Sequence, residues 1–365
     1  MSKKYNFLLL CIMITIDWYS AVSCQKNNMS SGETTSSASG IPLEVRKVSG
    51  GYLVETTFLA MDTLYTLTLG VEGDVENVLH TRIQKAFEAA QNEVRRVEAL
   101  MSSHTEQGDV YRMNHSAREW VSVDKATLEV VQQAVRVGYA TGGAFDITWK
   151  ALQPLYNFRD SQWRPPTQEQ IHNALRWVDF QSIEIDVPGN RLRFTRDGMS
   201  MDLGGIAKGF ALEKASESLL QAGFNNHIVN GGGDLKVCGK RPDRKWTMGI
   251  RSPRKKGKIY KSGSIRLECF ALLTSGDYER YREVDGVRYS HIVDPRTGKT
   301  AASKVASVTV LGADATIADA LATGLLVLGY EEGIKALAHF PGFEALWLNT
   351  DEHPSSSSGF NTLWE

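Results

Sequence analysis

Turn-linked strand pairs outnumber strand–helix–strand units along this chain, which predicts an α+β body rather than a doubly wound parallel sheet. Leu64-Tyr65-Thr66-Leu67-Thr68-Leu69 alternates with period two and reads as a strand with one buried face. Leu79, Ile83, Phe87, Ala90, Val94 and Val97 follow helical spacing, so an amphipathic helix is predicted over about 75–100. A second helix is expected over 124–140, with Asp124 as its N-cap. Short strands at 183–186 and 191–194 flank the turn signal Pro188-Gly189-Asn190. A helix over 206–222 follows a glycine pair, and strands are expected near 227–230, 246–250, 265–274 and 305–311. A helix pair at about 315–328 and 331–339 and a strand at 344–348 close the pattern.

The 365 residues allow one large domain or two ordinary ones, and no clean linker divides the middle of the chain. With 41 Lys+Arg against 42 Asp+Glu the net charge is -1, which removes the electrostatic footprint of a nucleic-acid binder. A hydrophobic content of 42% is too high for a disordered chain. Cys11, Cys24, Cys238 and Cys269 form no C-x-x-C pair, so a zinc ribbon or thioredoxin-like motif is excluded. Cys238 and Cys269 read first as buried small apolar residues, with pairing after export as the alternative.

Lys3 and Lys4 precede the apolar stretch 7–16, which is too short to span a bilayer comfortably. It leads to Ala21-Val22-Ser23-Cys24, small residues before a cysteine that resemble a bacterial lipobox, although Asp17 and Trp18 interrupt the apolar run. Residues 1–23 are read as a lipoprotein signal peptide and Cys24 as the lipidated first residue of the mature chain, with an ordinary secretory signal as the alternative. Residues 24–44 are read as a flexible polar tether, 45–350 as the folded body and 351–365 as a loose tail. The protein is therefore expected to be exported and lipid-anchored to a bacterial membrane, facing the periplasm or the cell exterior.

Several suggestive patterns fail. Asp294-Pro295-Arg296-Thr297-Gly298-Lys299-Thr300 ends like a phosphate-binding loop, but Val293 stands where the first glycine is required. Gly231-Gly232-Gly233 is no dinucleotide fingerprint, no serine sits in a G-x-S-x-G elbow, and the eight histidines show no H-E-x-x-H spacing. The basic run from Arg251 to Lys261 reads as a solvated hairpin loop that could dock an acidic partner.

Four segments are richer in glycine, carboxylate and hydroxyl than packing requires. In Thr141–Thr148, Gly142 and Gly143 permit close backbone approach and Asp146 can accept from a ligand; a helix C-cap followed by a strand is the plainer reading. In Met201–Gly209, a glycine turn feeds a helix N-terminus beside Lys208, which suits a phosphate; a tight turn with a solvated lysine is the alternative. Asn230-Gly231-Gly232-Gly233-Asp234 ends an apolar strand, and a plain β-turn would need at most two of its glycines. In Thr316–Thr323, Asp319 and Thr323 stand at i and i+4 on one helix face, a set of hard oxygens suited to Mg²⁺; a back-bonded threonine and a first-turn carboxylate are the alternative.

These segments, with Ser275-Gly276-Asp277-Tyr278-Glu279-Arg280 and the run Ser290–Gly298, stand in an order that closely resembles the ApbE family, the FAD:protein FMN transferases. The resemblance runs from about Met61 to Gly329. One departure is visible: the family often begins with Met-Gly-Thr, where this chain has Met61-Asp62-Thr63. The resemblance implies a T-fold-like α+β body, with mixed or antiparallel sheets flanked by helices and FAD in a central cleft. It further implies that Met61, the backbone of Ala144-Phe145-Asp146, Asp202, Lys208 and the 291–294 strand including Val293 line the FAD site. Mg²⁺ would be held by the Gly205 carbonyl, Asp319 and Thr323.

The implied reaction moves FMN from FAD onto a Thr or Ser hydroxyl of an acceptor flavoprotein subunit and releases AMP. His291 is the candidate base, against a structural histidine. Asp319→Ala is expected to abolish turnover and leave the fold intact. Two other functions compete: metal-dependent hydrolysis of FAD to FMN and AMP, and a non-catalytic FAD-binding lipoprotein.

Overall fold

The computed structural model describes residues 41–365 except 74–76, 279 and 302–303. The signal peptide, Cys24 and most of the tether lie outside the described residues.

The first strands, β1 (Glu44–Val48), β2 (Gly51–Ala60) and β3 (Thr63–Glu72), form an antiparallel meander. Tyr65, Leu67 and Leu69 are fully buried, as their period-two spacing in β3 requires. Helix α1 (Asn77–Met101) buries Ile83, Phe87, Ala90, Val94 and Val97 along one stripe. Then come α2 (Asp109–Asn114), β4 (Val121–Ser122) and α3 (Lys125–Ala140), where Asp124 caps the helix by accepting from Ala126 N at 2.8 Å. After α4 (Gln168–Leu175), the strands β5 (Ile183–Asp186) and β6 (Arg191–Phe194) join β4 in a small sheet of order β4-β6-β5.

Helix α5 (Ala207–Gln221) leads to the hairpin β7 (His227–Gly231) and β8 (Asp234–Cys238). A second hairpin, β9 (Met248–Arg251) with β10 (Ile259–Gly263), precedes β11 (Cys269–Gly276). A third, β12 (Tyr281–Val284) with β13 (Val287–Ser290), precedes β14 (Val305–Gly312). The chain closes with α6 (Ala315–Leu337), β15 (Glu344–Asn349), β16 (Pro354–Ser356) and α7 (Phe360–Leu363). Gly329, at φ 75° and ψ -172°, divides α6 into the two expected helices.

Nine strands make one sheet, ordered β1-β2-β3-β7-β8-β11-β14-β15-β16, with each neighbouring pair antiparallel. Helices α5 and α6 cover one face against β7, β8, β11 and β14. On the other face Trp246, Met248 and Ile250 pack with Phe360 and Trp364 over Leu235, Val237, Leu272 and Leu346. Every residue of β14 is consequently buried, Ser307 and Thr309 included, so its side chains are covered on both faces.

Three expectations need correction. Residues 351–365 are no loose tail: β16 pairs with β15, Phe360 is fully buried and Trp364 bridges to Ile265. That same bridge occupies Ile265, so the strand expected over 265–274 begins only at Cys269. Cys238 and Cys269 stand opposite one another in the β8–β11 register and are disulfide-bonded, so they are not two separate small apolar residues.

Candidate functional site

Two tight turns build one end of the sheet. Gly232 and Gly233 join β7 to β8 at φ 67° and 110°, values that favour glycine. Gly231 serves another purpose, since a Cβ there would lie 2.9 Å from the Tyr65 ring. All three glycines are thus used, two by the turn and one by packing. Met61 and Asp62 close the β2–β3 hairpin at φ 51° and 58°, in the manner of a type I′ turn. Asp62 thus takes a left-handed conformation in which the Gly of Met-Gly-Thr would be unstrained. Met61 N donates to Glu98 Oε1 at 2.7 Å, and the Tyr65 hydroxyl lies 3.3 Å from Met61 Sδ.

The approach to α5 is set by Asp202, whose carboxylate accepts from Gly204 N at 2.9 Å and whose N–H reaches Ile147 O at 2.8 Å. Lys208, in the first turn of α5, pairs with the buried carboxylate of Asp234, which also accepts from Thr274 N at 2.8 Å. Next to it, Gly209 N donates to Asp319 Oδ2 at 2.8 Å, so a carboxylate from α6 satisfies an N-terminal N–H of α5. Only glycine allows that approach: a Cβ on Gly209 would lie 2.1 Å from Ala315 O and 2.7 Å from Asp319 Cβ.

One turn along α6, Thr323 Oγ1 stands 3.0 Å from Ser275 Oγ at the end of β11. A Cβ built on Gly205 would lie 3.7 Å from Thr323 Oγ1 and 3.2 Å from the Phe145 ring. Gly205, Asp319, Thr323 and Phe145 therefore converge beside Lys208. Their donors are a carboxylate, hydroxyls and backbone oxygen, a set that fits a hard cation completed by phosphate oxygens and water. Among the described residues no cluster of three or more His, Cys, Asp or Glu offers a site for a softer metal.

Asp146 does not fit its reading as a side-chain acceptor for a ligand. Its Oδ1 accepts from Thr148 N and Oγ1 at 2.7 and 2.6 Å, and its Oδ2 from Phe180 N at 3.1 Å. Burial raises its pKa and these bonds oppose the rise; the carboxylate caps the short helical turn at 147–151. Val293 is buried against Leu152, Tyr156 and Trp163 and bridges to Thr300 through its backbone. His291 is half-buried, with Nδ1 3.0 Å from Arg280 O. Because a carbonyl only accepts, Nδ1 carries the hydrogen and Nε2 keeps its lone pair.

Sequence reasoning assigned no role to Asp234, Ser275, Tyr65 or Glu98. Asp234 and Ser275 stood inside singled-out motifs, but nothing local marked them as partners of Lys208 and Thr323. Glu98 follows a helical pattern 37 residues from the Met61 N–H it accepts, so no spacing could reveal it.

Known proteins are similar to this chain in sequence and in fold. The sequence model of the ApbE family covers residues 61–347. An FAD:protein FMN transferase of Vibrio cholerae is 35% identical over 267 residues, covering 70% of this chain and 75% of that protein. One from Treponema pallidum is 31% identical over 297 residues, covering 77% and 80% respectively. The crystal structure of the ApbE protein from Thermotoga maritima superposes with a TM-score of 0.74 at 32% identity, covering 85% of this chain and 99% of that one. The flavin transferase ApbE from Vibrio cholerae gives 0.74 at 29% identity, with the same coverage.

Proposed function

The chain belongs to the ApbE family and is a flavin transferase, and from that premise we propose that it moves FMN from FAD onto a Thr or Ser hydroxyl of an acceptor protein, with Mg²⁺ bound and AMP leaving. The observation that carries the reading is the convergence of the α5 N-terminus and Lys208 with Gly205, Asp319 and Thr323. Lys208, at the N-terminal end of α5 where the helix dipole favours negative charge, suits the FAD pyrophosphate. The Gly205 carbonyl, Asp319 and Thr323 would hold Mg²⁺, which when bound neutralises charge on the pyrophosphate.

His291 serves as the base. Burial holds its pKa below the ordinary 6.5, so the ring is neutral at neutral pH. Nε2 takes the proton of the acceptor hydroxyl as that oxygen attacks the phosphorus on the FMN side, and AMP departs from the same phosphorus. Positioning the hydroxyl in line can contribute about 7–11 kcal/mol towards the barrier, help that bulk water does not receive. The lipid on Cys24 and the tether behind it would bring the body to membrane-bound acceptors.

The test incubates the protein with FAD, Mg²⁺ and an acceptor bearing a candidate threonine. Covalent flavin fluorescence should follow the acceptor through denaturing electrophoresis and vanish when that threonine becomes alanine. FMN and AMP formed at one rate, with or without acceptor, would establish hydrolysis instead.

A further inference from the structure

The basic hairpin loop between β9 and β10 is drawn along the same end of the sheet as the site. Arg251 reaches Gly232 O at 3.4 Å on the glycine turn. Arg254 pairs with both oxygens of Asp277 at 2.7 Å, two residues past the Ser275 that touches Thr323. Lys255 pairs with Glu352 at 2.6 Å, and Ser252 bonds the same carboxylate. The loop is therefore a strap pinned at three points rather than a free hairpin tip. Lys256 and Lys258 lie between the pins and β10, exposed and with no ion pair among the described residues.

A cavity of about 320 Å³ borders this strap, lined by the Arg254–Asp277 pair, Arg288, Ser290, Ile292 and Leu326, among others, so Arg288 is, among the described residues, its one cation not already paired with a carboxylate. It adjoins the catalytic elements in the chain: Ser290 and Ile292 flank His291, and Leu326 lies one turn beyond Thr323. Arg288 stacks on the Tyr281 ring at 3.6 Å, yet its Nε is buried without a hydrogen-bond partner. The Nε is closed off, but the terminal guanidinium nitrogens make no hydrogen bond or ion pair among the described residues, and a planar carboxylate in the cavity is the group whose geometry they match.

We infer that the strap and the cavity it borders dock an acidic segment of the acceptor protein, with one of its carboxylates seated against Arg288, an assignment that rests on the transfer reaction proposed above. The exposed lysines draw the segment to the site end of the sheet, and the cavity sets its register so that the neighbouring hydroxyl lies near His291. A carboxylate on a side chain can enter a cavity of this size. The headgroups of an anionic bilayer would act on Lys256 and Lys258 and make no use of Arg288.

Fluorescence anisotropy on the full mature chain in detergent tests this with a labelled peptide carrying one threonine flanked by aspartates. Binding should weaken with salt, and a peptide with lysines in place of the aspartates should not bind. Lys256→Glu with Lys258→Glu, and separately Arg288→Gln, should each weaken binding by about tenfold or more while FAD binding is unchanged. Equal binding of both peptides, or indifference to all three substitutions, would overturn the inference. So would loss of binding to phosphatidylglycerol vesicles in the double variant with peptide binding intact, which marks a membrane surface. If the aspartate peptide binds as expected but no acceptor is labelled by the wild-type protein, the transfer reading fails and the docking surface stands.

Discussion

Two duties of Asp319 can be separated by substitution. It accepts from Gly209 N and so caps α5, and under the proposed function it would supply the formal charge of the Mg²⁺ site. Asp319→Ala should therefore cost about 1–2 kcal/mol of stability as well as activity, which revises the expectation that the fold would be untouched. Asp319→Asn keeps an oxygen for Gly209 and loses only the charge. Its melting temperature should stay near wild type while transfer falls at least about 100-fold and the Mg²⁺ requirement rises. A Mg²⁺ titration alongside thermal denaturation distinguishes the two variants, and an Asn variant with wild-type Mg²⁺ dependence would sink the metal assignment. His291 makes a pH prediction with a definite sign. Its pKa lies below 6.5, so the neutral base is fully present above that pH and is lost as pH falls through the lowered value. The acid limb of kcat/KM should accordingly lie below pH 6.5, and His291→Gln should remove it.

Between elements, the site depends on how closely α5 and α6 cross. Gly209 lets the two helices touch, and the buried pair Lys236–Glu213, at 2.8 Å, ties β8 to α5 just where Lys236 reaches Ala313 O and Glu213 receives Ala315 N at the start of α6. These bonds set the register that places Asp319 against Gly209. Gly209→Ala would force the helices apart, because its Cβ overlaps backbone rather than the end of a flexible side chain. The expected cost is about 1–3 kcal/mol, accompanied by weaker Mg²⁺ affinity. Differential scanning calorimetry with and without Mg²⁺ checks both, and an alanine variant as stable as wild type would refute the close crossing.

For the whole molecule, the C-terminal segment is part of the second core. Removing residues 351–365 strips Phe360 and Trp364 from the sheet face opposite α5 and α6. Each loss is worth about 3–5 kcal/mol, comparable with the stability of many domains, so a chain ending at residue 350 should be recovered insoluble or unfolded. At the other terminus, Cys24→Ala should move the protein from the membrane to the soluble fraction if that residue carries the lipid, and unchanged fractionation would remove the anchor. Local pattern was enough for most elements: the alternation of β3, the stripe of α1, the Asp124 cap and the break in α6 each follow from residues near in sequence. The ordered motifs likewise declared the family, because glycine turns, Lys208 and the Asp319–Thr323 spacing are local features. The tertiary structure alone decided which charges meet. Asp234 facing Lys208, Asp319 capping α5, Cys238 bonded to Cys269 and the tail folded onto β15 all join residues far apart along the chain. Side-chain period and turn chemistry carry no information about such partners, whereas the sheet order and the crossing of α5 with α6 fix them through burial and hydrogen bonding.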